Sequence, residues 1–200
     1  MRLCITAPAS EAIQYEARKF NAGYLPGEKS IYQLDCEDCH PTDAIDAAWE
    51  SLYSGIMWSA IPRSQAAQLR NLTIAIPSRP DHYLIGLDVF HQLHCLDNVR
   101  KALWPERYAP EEHMGGQGMS LLSHKHVDHC IDQIRQSIMC QSDLSPNWLA
   151  WNDVLKSNMG ARDIMHSCRS FDRVQEWARE HMQEPFDLSI RVPDPLKDGR

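Results

Sequence analysis

The chain has 200 residues, of which 43% are hydrophobic and 24% are charged, and its formal net charge is -7. A chain of this length can fold as one domain with a substantial core, or at most as two small domains. The acidic charge, without a lysine- or arginine-rich block, argues against a nucleic-acid partner. No apolar run reaches the roughly 18 residues of a membrane span, and residues 1–10 do not resemble a signal peptide. The sequence as it stands therefore predicts a soluble globular protein.

Short helices separated by turns are predicted in the first half of the chain. These helices are expected at residues 9–20, 43–54 and about 63–70. Thr42 or Asp43 is a suitable N-cap for the second of them, whereas glycines and prolines make residues 21–42 irregular. One short strand is predicted at residues 72–76, and residues 78–83 are expected to form a loop.

Two long helices are predicted in the second half of the chain, over residues 86–103 and about 120–140, with a loop at 105–119 between them. A loop is expected at residues 141–147 and a weakly structured stretch at 148–158. A last helix is expected to begin at Ser167 or Ser170 and to end at about 183, and an extended tail follows from 185. The sequence thus predicts a mainly α fold, with a single helical domain over residues 1–200 and a minor small β element. Its core is expected at about 43–183, after an irregular N-terminal arm.

The pattern His-x-x-His-Cys occurs twice, as His91, His94 and Cys95 and as His126, His129 and Cys130. On an α-helix, residues at i, i+3 and i+4 share one face, so each motif groups two imidazoles and one thiol. The apolar stripes of the two helices fall on other faces, at Val89, Leu93, Leu96 and Leu103 and at Val127, Ile131, Ile134 and Ile138. We therefore expect the helices to pack by these stripes and to face each other across a metal site.

The donor atoms in the two motifs favour a transition metal. A single histidine is more often satisfied by a backbone carbonyl, but paired histidines at i and i+3 are costly to bury together unless something binds them. Imidazole suits zinc, copper, iron and nickel, and a nitrogen-rich site without an obligatory carboxylate fits copper well. The candidate ligands and catalytic residues are His91, His94, His126 and His129. Four cysteines are open to two roles, disulfide or metal ligand: Cys95, Cys130, Cys140 and Cys168. His166 is a candidate extra ligand.

A separate pattern near the N-terminus matches the attachment site of c-type haem, Cys-x-x-Cys-His, at Cys36, Cys39 and His40. The match is a single short motif, and no export signal accompanies it. Coincidence in a cysteine-rich loop, or a local disulfide, is therefore the preferred interpretation.

Three segments of the second half together resemble the fungal UstYa-like proteins, which are encoded in gene clusters for mycotoxins and other secondary metabolites. The segments are VFHQLHCLDNVRKALW (89–104), HVDHCIDQIRQSIMC (126–140) and HSCRSFDRVQEW (166–177). The hallmark of that family is the doubled His-x-x-His-Cys motif. Most of its members carry an N-terminal transmembrane helix, which is absent from this sequence.

The resemblance implies a copper-dependent oxidase with one or two copper ions, in preference to zinc or iron. Its reaction would be oxidative cyclisation, dehydrogenation, hydroxylation or halogenation of a peptide or small-molecule intermediate. A homo- or heterodimer with a related protein, and a location in the lumen of the secretory pathway, are further expectations. Two other hypotheses use the same histidines: a zinc-bound structural or binding module, and a redox-neutral cyclase in which the imidazoles act as acid and base.

Overall fold

The computed structural model describes residues 7–20, 29–34, 40–108, 121–160, 164–190, 192 and 196. Within these residues the chain forms five α-helices, α1 (Asp43–Glu50), α2 (Arg63–Ala66), α3 (Asp88–Ala102), α4 (His124–Gln141) and α5 (Phe171–Glu180). It also forms seven strands, β1 (Tyr15–Lys19), β2 (Trp58–Pro62), β3 (Ala75–Ile76), β4 (Arg79–Gly86), β5 (Leu149–Asn152), β6 (Ser157–Gly160) and β7 (Met165–Arg169).

The chain divides into two compact units. The first contains Met1–Gln14, Tyr53–His91 and Arg169–Arg200, and the second contains Tyr15–Leu52 and Gln92–Cys168. The boundary between His91 and Gln92 falls inside α3, which is one continuous helix. The position of His91 relative to the rest of α3 is therefore fixed by the helix itself.

The first unit is built on a three-stranded antiparallel sheet with the strand order β2-β4-β3. The central strand β4 pairs Leu84 with Ala60 of β2. Ala60, Ile76 and Leu84 form a buried cluster, and Phe186 packs against it. Burial of such side chains supplies most of the favourable free energy of folding. The apolar core of this unit thus joins residues that are far apart in the sequence.

In the second unit, charged side chains connect α1 to α3. The carboxylate of Asp97 is fully buried and accepts hydrogen bonds from Arg100 (2.8 Å) and Lys101 (3.1 Å). The same two cations reach α1, where Arg100 lies 2.7 Å from Asp46 and Lys101 lies 3.2 Å from Glu50. Buried charges are tolerated only when they are paired in this way. The network therefore fixes how α3 is rotated against α1.

The carboxylate of Asp46 accepts hydrogen bonds from three side chains of this network. Burial raises the pKa of its carboxyl, but hydrogen bonds from Tyr108, Arg107 and Arg100 outweigh this effect and hold the pKa below its ordinary value. A group whose pKa is lower in the folded chain stabilises the fold above its unfolded pKa. This contribution is lost as the pH falls through the folded pKa.

The predicted long helices are confirmed within a few residues. The helix expected at 86–103 is α3, and the helix expected at about 120–140 is α4, which begins after the N-cap Ser123. The helix expected at 43–54 is the shorter α1, and Thr42 caps it by accepting a hydrogen bond from the Ile45 N–H at 3.3 Å. The last helix begins after Ser170, one of the two predicted starts.

The strands were largely missed, so the fold has more β structure than the prediction of a mainly α domain. The helix expected at 9–20 is wrong, because the chain forms a 3-10 turn at Pro8–Ala12 and then β1. The loop expected at 78–83 is also wrong, since most of it lies in β4. β1 pairs with β7, about 150 residues later. Pairing partners at such separations leave no local signal in the sequence.

Within the part of the chain that the structure describes, none of the helices combines the length and the apolar character needed to cross a membrane.

Candidate metal centre

The two motif helices, α3 and α4, contact each other through side chains. Ser137 of α4 donates a hydrogen bond of 2.8 Å to Gln92 of α3. The ring centroids of His94 and His126 are 6.3 Å apart. The two motif faces meet, as the spacing of the motifs predicts.

In each motif the cysteine is the buried residue, whereas part of each predicted apolar stripe is exposed, which corrects the prediction that the stripes carry the packing. Leu96 and Leu103 of α3 are 39% and 73% exposed, and Ile131 and Ile138 of α4 are 52% and 66% exposed. The buried side chains of α3 are Phe90 and Cys95 together with three polar or charged ones, Asp97, Asn98 and Lys101. These side chains have specific partners across the fold, and amphipathic spacing alone cannot identify such partners. Each predicted stripe is therefore divided: the two leucines and two isoleucines named above are exposed, whereas Val89, Leu93, Val127 and Ile134 are half-buried.

The motif cysteines lie at the centre of this contact. Cys95 and Cys130 are both fully buried. Burial raises the pKa of the Cys130 thiol, and a hydrogen bond from Cys95 acts in the opposite direction. Among the described cysteines, Cys140 is exposed and Cys168 is half-buried, and the structure holds all four as thiols. A disulfide role for them remains a prediction.

One group of side chains has the geometry of a metal site. The ligand atoms of His91, Cys95 and His129 all lie within 4.8 Å of one another. Cys95 is buried, His91 is half-buried and His129 is exposed. The site is therefore closed on the thiol side and open to solvent on the side of His129.

The donor set of this group fits a soft or borderline transition metal. Two imidazoles and one thiolate are ligands of copper and of zinc, and they disfavour the hard cations magnesium and calcium. The group contains one histidine from each motif and one cysteine. The sequence had left two roles open for that cysteine, disulfide or metal ligand. The set of four histidines remains a prediction, since His94 and His126 lie outside this group among the described residues.

His94 and His126 are each held by a hydrogen bond through a different ring nitrogen. Nδ1 of His126 lies 2.7 Å from the carbonyl oxygen of Leu121, which can only accept, so Nδ1 carries the proton. Nε2 of His94 lies 3.0 Å from the side-chain amide nitrogen of Asn98. Asn98 is absent from the residues predicted from the sequence. Its place four residues after His94 marks it as a neighbour on the same helical face.

His166, the candidate extra ligand, has other partners. Its Nδ1 lies 2.5 Å from Asp143, and its ring stacks on Phe20 with 3.7 Å between the ring centroids. The pKa of Asp143 falls to about 2, because the hydroxyl and backbone N–H of Ser145 and then His166 donate hydrogen bonds to its carboxylate. His166 thus orders the segment after α4.

Replacing His166 by alanine should raise the pKa of Asp143 above its value of about 2. The pKa should stay below the ordinary value, because Ser145 still donates. In the native chain the lowered pKa stabilises the fold at neutral pH, and this contribution is lost as the pH falls through about 2. A carbon-13 NMR titration of the Asp143 carboxyl measures the change, with Ser145→Ala as the variant that isolates the serine hydroxyl. An unchanged midpoint in His166→Ala would contradict the assigned partner.

The structure describes only part of the pattern that matches c-type haem attachment. Cys36 and Cys39 lie outside the described residues. The ring of His40 makes an edge contact with Trp104, with 5.3 Å between the centroids. Among the described histidines, His40 is not part of the metal group.

Comparison with known proteins places these features in a family. The family model described as mycotoxin biosynthesis protein UstYa matches residues 2–181. The UstYa family oxidase phomYc of Diaporthe leptostromiformis is 33% identical over 144 residues, which are 69% of this chain and 56% of that protein. The UstYa family oxidase VicYb of Bipolaris victoriae (strain FI3) is 41% identical over 104 residues, which are 50% of this chain and 83% of that protein.

A relative with a different name matches over a longer range. The transacylase cctO of Talaromyces islandicus is 27% identical over an alignment of 208 positions, gaps included, that covers 94% of this chain and 63% of that protein. The chain spans about half the length of phomYc. No solved structure matches the chain significantly. Because the family model covers nearly the whole chain, including both His-x-x-His-Cys motifs, the chain belongs to the UstYa family of mycotoxin biosynthesis proteins.

Proposed function

We propose that the chain is a copper-dependent oxidase of fungal secondary-metabolite biosynthesis that acts on a peptide or small-molecule intermediate. The observation that carries this proposal is the convergence of His91, Cys95 and His129 within 4.8 Å. Two imidazoles and a thiolate match copper ligation, and relatives over the same segment are named oxidases. When bound, copper would supply one-electron exchange with oxygen and with the substrate.

The residues around the group have distinct tasks in this proposal. His91 and His129 would hold the metal through imidazole nitrogen, and Cys95 through sulfur. The exposed His129 leaves one side of the site open to a substrate, whereas the buried Cys95 closes the other side to water. The Leu121 carbonyl holds the ring of His126 in one tautomer, so that its Nε2 carries the lone pair. The chain thus supplies a partly enclosed site in which a substrate reaches the metal from one direction.

Acyl transfer, the activity named for cctO, fits these side chains less well. An acyl carrier on the enzyme needs an accessible nucleophile that is readily deprotonated. Both thiols at the site are fully buried, and burial raises the pKa of Cys130. Buried thiols suit metal ligation better than attack on a bulky acyl group.

The same proposal includes a protein partner and a lumenal location. Large apolar side chains of the second unit are strongly exposed, among them Leu103 at 73%, Leu144 at 92% and Val154 at 88%. Such side chains mark an interaction surface where they form a contiguous patch. A homo- or heterodimer with a related protein would cover them.

Metal analysis of the purified chain tests the proposal directly. Elemental analysis with copper titration should find at least one copper per chain, and electron paramagnetic resonance of the oxidised form should show nitrogen coupling from imidazole. Oxygen consumption with a pathway intermediate should then depend on copper. Stoichiometric zinc, with no activity after exchange for copper, would instead support the structural module. Turnover that survives removal of all metal would support the redox-neutral cyclase.

A further inference from the structure

The helix α4 is 18 residues long, and the structure describes every one of them. Cys130 is the one residue of this helix that is buried. Helices in proteins owe most of their stability to the packing of one apolar face. On α4, however, the large apolar side chains Ile131 and Ile138 are 52% and 66% exposed. The helix therefore offers apolar surface that the rest of its own chain leaves uncovered.

The apolar residues of α4 follow the spacing of a coiled coil. Val127, Ile131, Ile134 and Ile138 succeed one another at intervals of four, three and four residues. These intervals are those of the positions in a heptad repeat at which two helices interlock. Ile131 and Ile138 are exposed, and the other two are half-buried. We call these four residues the seam of α4.

The seam lies on a different side of α4 from the residues that contact α3 and from the metal group. Successive residues of a helix turn by about 100°, so the seam lies about a quarter turn from Cys130 and Ser137. Ser137 donates a hydrogen bond to α3. By the same count, His129 lies nearly half a turn from the seam. A partner on the seam would therefore leave the exposed side of His129 open.

The seam is complementary to a second copy of itself when the two helices run in opposite directions. A two-fold axis between Ile131 and Ile134 places each of them opposite the other residue in the second copy. The same axis places Val127 opposite Ile138. Every apolar residue of the seam then meets an apolar residue, as a self-complementary dimer contact requires.

The charges beside the seam fit the same antiparallel arrangement. Asp128 and Arg135 are both exposed, and both lie on the side of the seam that is turned away from α3. The two-fold axis brings Asp128 level with Arg135 of the second copy, and the symmetry repeats this pair. Arg135 already lies 2.8 Å from Asp132 of its own helix, so its guanidinium is held beside the seam. In a parallel pair each residue lies level with its own copy, and this pairing of opposite charges is lost.

We propose that α4 is a self-association surface, on which the seam pairs antiparallel with the seam of a second copy and Asp128 pairs with Arg135 of that copy. This inference rests on the protein partner included in the proposed function, and it names the surface and the partner. The contact uses one helix of about 27 Å from each chain. Because so short a contact buries less area than a permanent interface, the dimer should dissociate in the micromolar range.

Sedimentation equilibrium of the full, metal-free chain tests the surface. The average mass should rise from that of a monomer towards twice that value as the protein concentration increases. Ile131→Glu or Ile138→Glu should weaken self-association by at least about tenfold, because each would desolvate carboxylates at the contact. The matched control is Ile31→Glu, since Ile31 is 70% exposed and lies outside α4. This control should leave the association constant unchanged.

Reversal of the two charges tests the orientation of the helices. Asp128→Arg and Arg135→Asp each place like charges opposite one another, and each should weaken self-association by at least about tenfold. A mixture of the two variants restores opposite charges at both ends of a mixed dimer. Association in this mixture should return to within about threefold of the wild-type value. Both positions are exposed, so circular dichroism should show that the variants are folded.

Four outcomes would overturn the proposal. They are a wild-type chain that stays monomeric, a dimer that the Ile138→Glu and Ile131→Glu variants leave unchanged, charge variants that do not recover in the mixture, and a seam that binds only a different member of the family. If the isoleucine variants do not fold, the charge variants decide. Copper content is measured separately, so a dimer without copper would refute the oxidase alone, and a copper-binding monomer would refute the dimer alone.

Discussion

Replacement of Asp97 by asparagine should lower the free energy of unfolding by about 3–5 kcal/mol, the cost of removing one member of a buried ion pair. Asparagine keeps the shape of the side chain and removes its charge. Arg100 and Lys101, whose side chains are only 13% and 9% exposed, would then have lost the carboxylate that both of them contact. Their remaining partners Asp46 and Glu50 lie on α1 and do not replace the lost negative charge of Asp97.

Thermal and urea denaturation measure this effect. For a chain of this size, 1 kcal/mol corresponds to a shift of Tm by about 2–4 °C, so the expected fall is on the order of 10 °C. The control is Asp132→Asn on α4, which removes an exposed pair with Arg135 in which both side chains are about half exposed. Exposed pairs contribute at most about 1 kcal/mol. Equal effects of the two substitutions would show that the Asp97 network does not stabilise the fold.

The same network explains why part of the fold was predictable and part was not. The helices α3 and α4 are long, and the cap at Thr42 and the motif spacing are local, so the sequence identifies them. The buried face of α3 is different, because Arg100 and Lys101, which pair with the buried Asp97, also pair with Asp46 and Glu50, about 50 residues away. A pattern-based choice of the core face instead selects Leu96 and Leu103, which are exposed.

The site follows the same division between local and long-range information. Both motifs could be placed on helix faces from their spacing alone, and those faces do meet. The spacing cannot distinguish four chemically equivalent histidines, since their roles depend on hydrogen bonds to the Leu121 carbonyl and to Asn98. The role of the cysteine in this group was likewise an open choice between disulfide and ligand, and the proposed function assigns it to the metal.

His129→Ala should abolish copper binding at the proposed site and lower turnover by roughly 10³-fold. A metal contributes several kcal/mol to transition-state stabilisation, and about 4 kcal/mol corresponds to this factor. His129 is exposed, so the free energy of unfolding of the metal-free chain should change little. This separates a lost ligand from a lost fold. Cys95→Ser tests the thiol in the same way, although a buried hydroxyl in its place also destabilises the chain.

Two further alanine variants distinguish the two possible ligand sets, which are His91, Cys95 and His129 or the four motif histidines. His124 is exposed on the same helix as His129 and lies outside the ligand group, so His124→Ala should leave copper stoichiometry and turnover unchanged. His94→Ala should retain copper while turnover falls, if His91, Cys95 and His129 are the ligands. Loss of copper in His94→Ala, to the same degree as in His129→Ala, would instead support the set of four histidines. Retention of copper by His129→Ala would contradict both ligand sets, because each of them requires that imidazole.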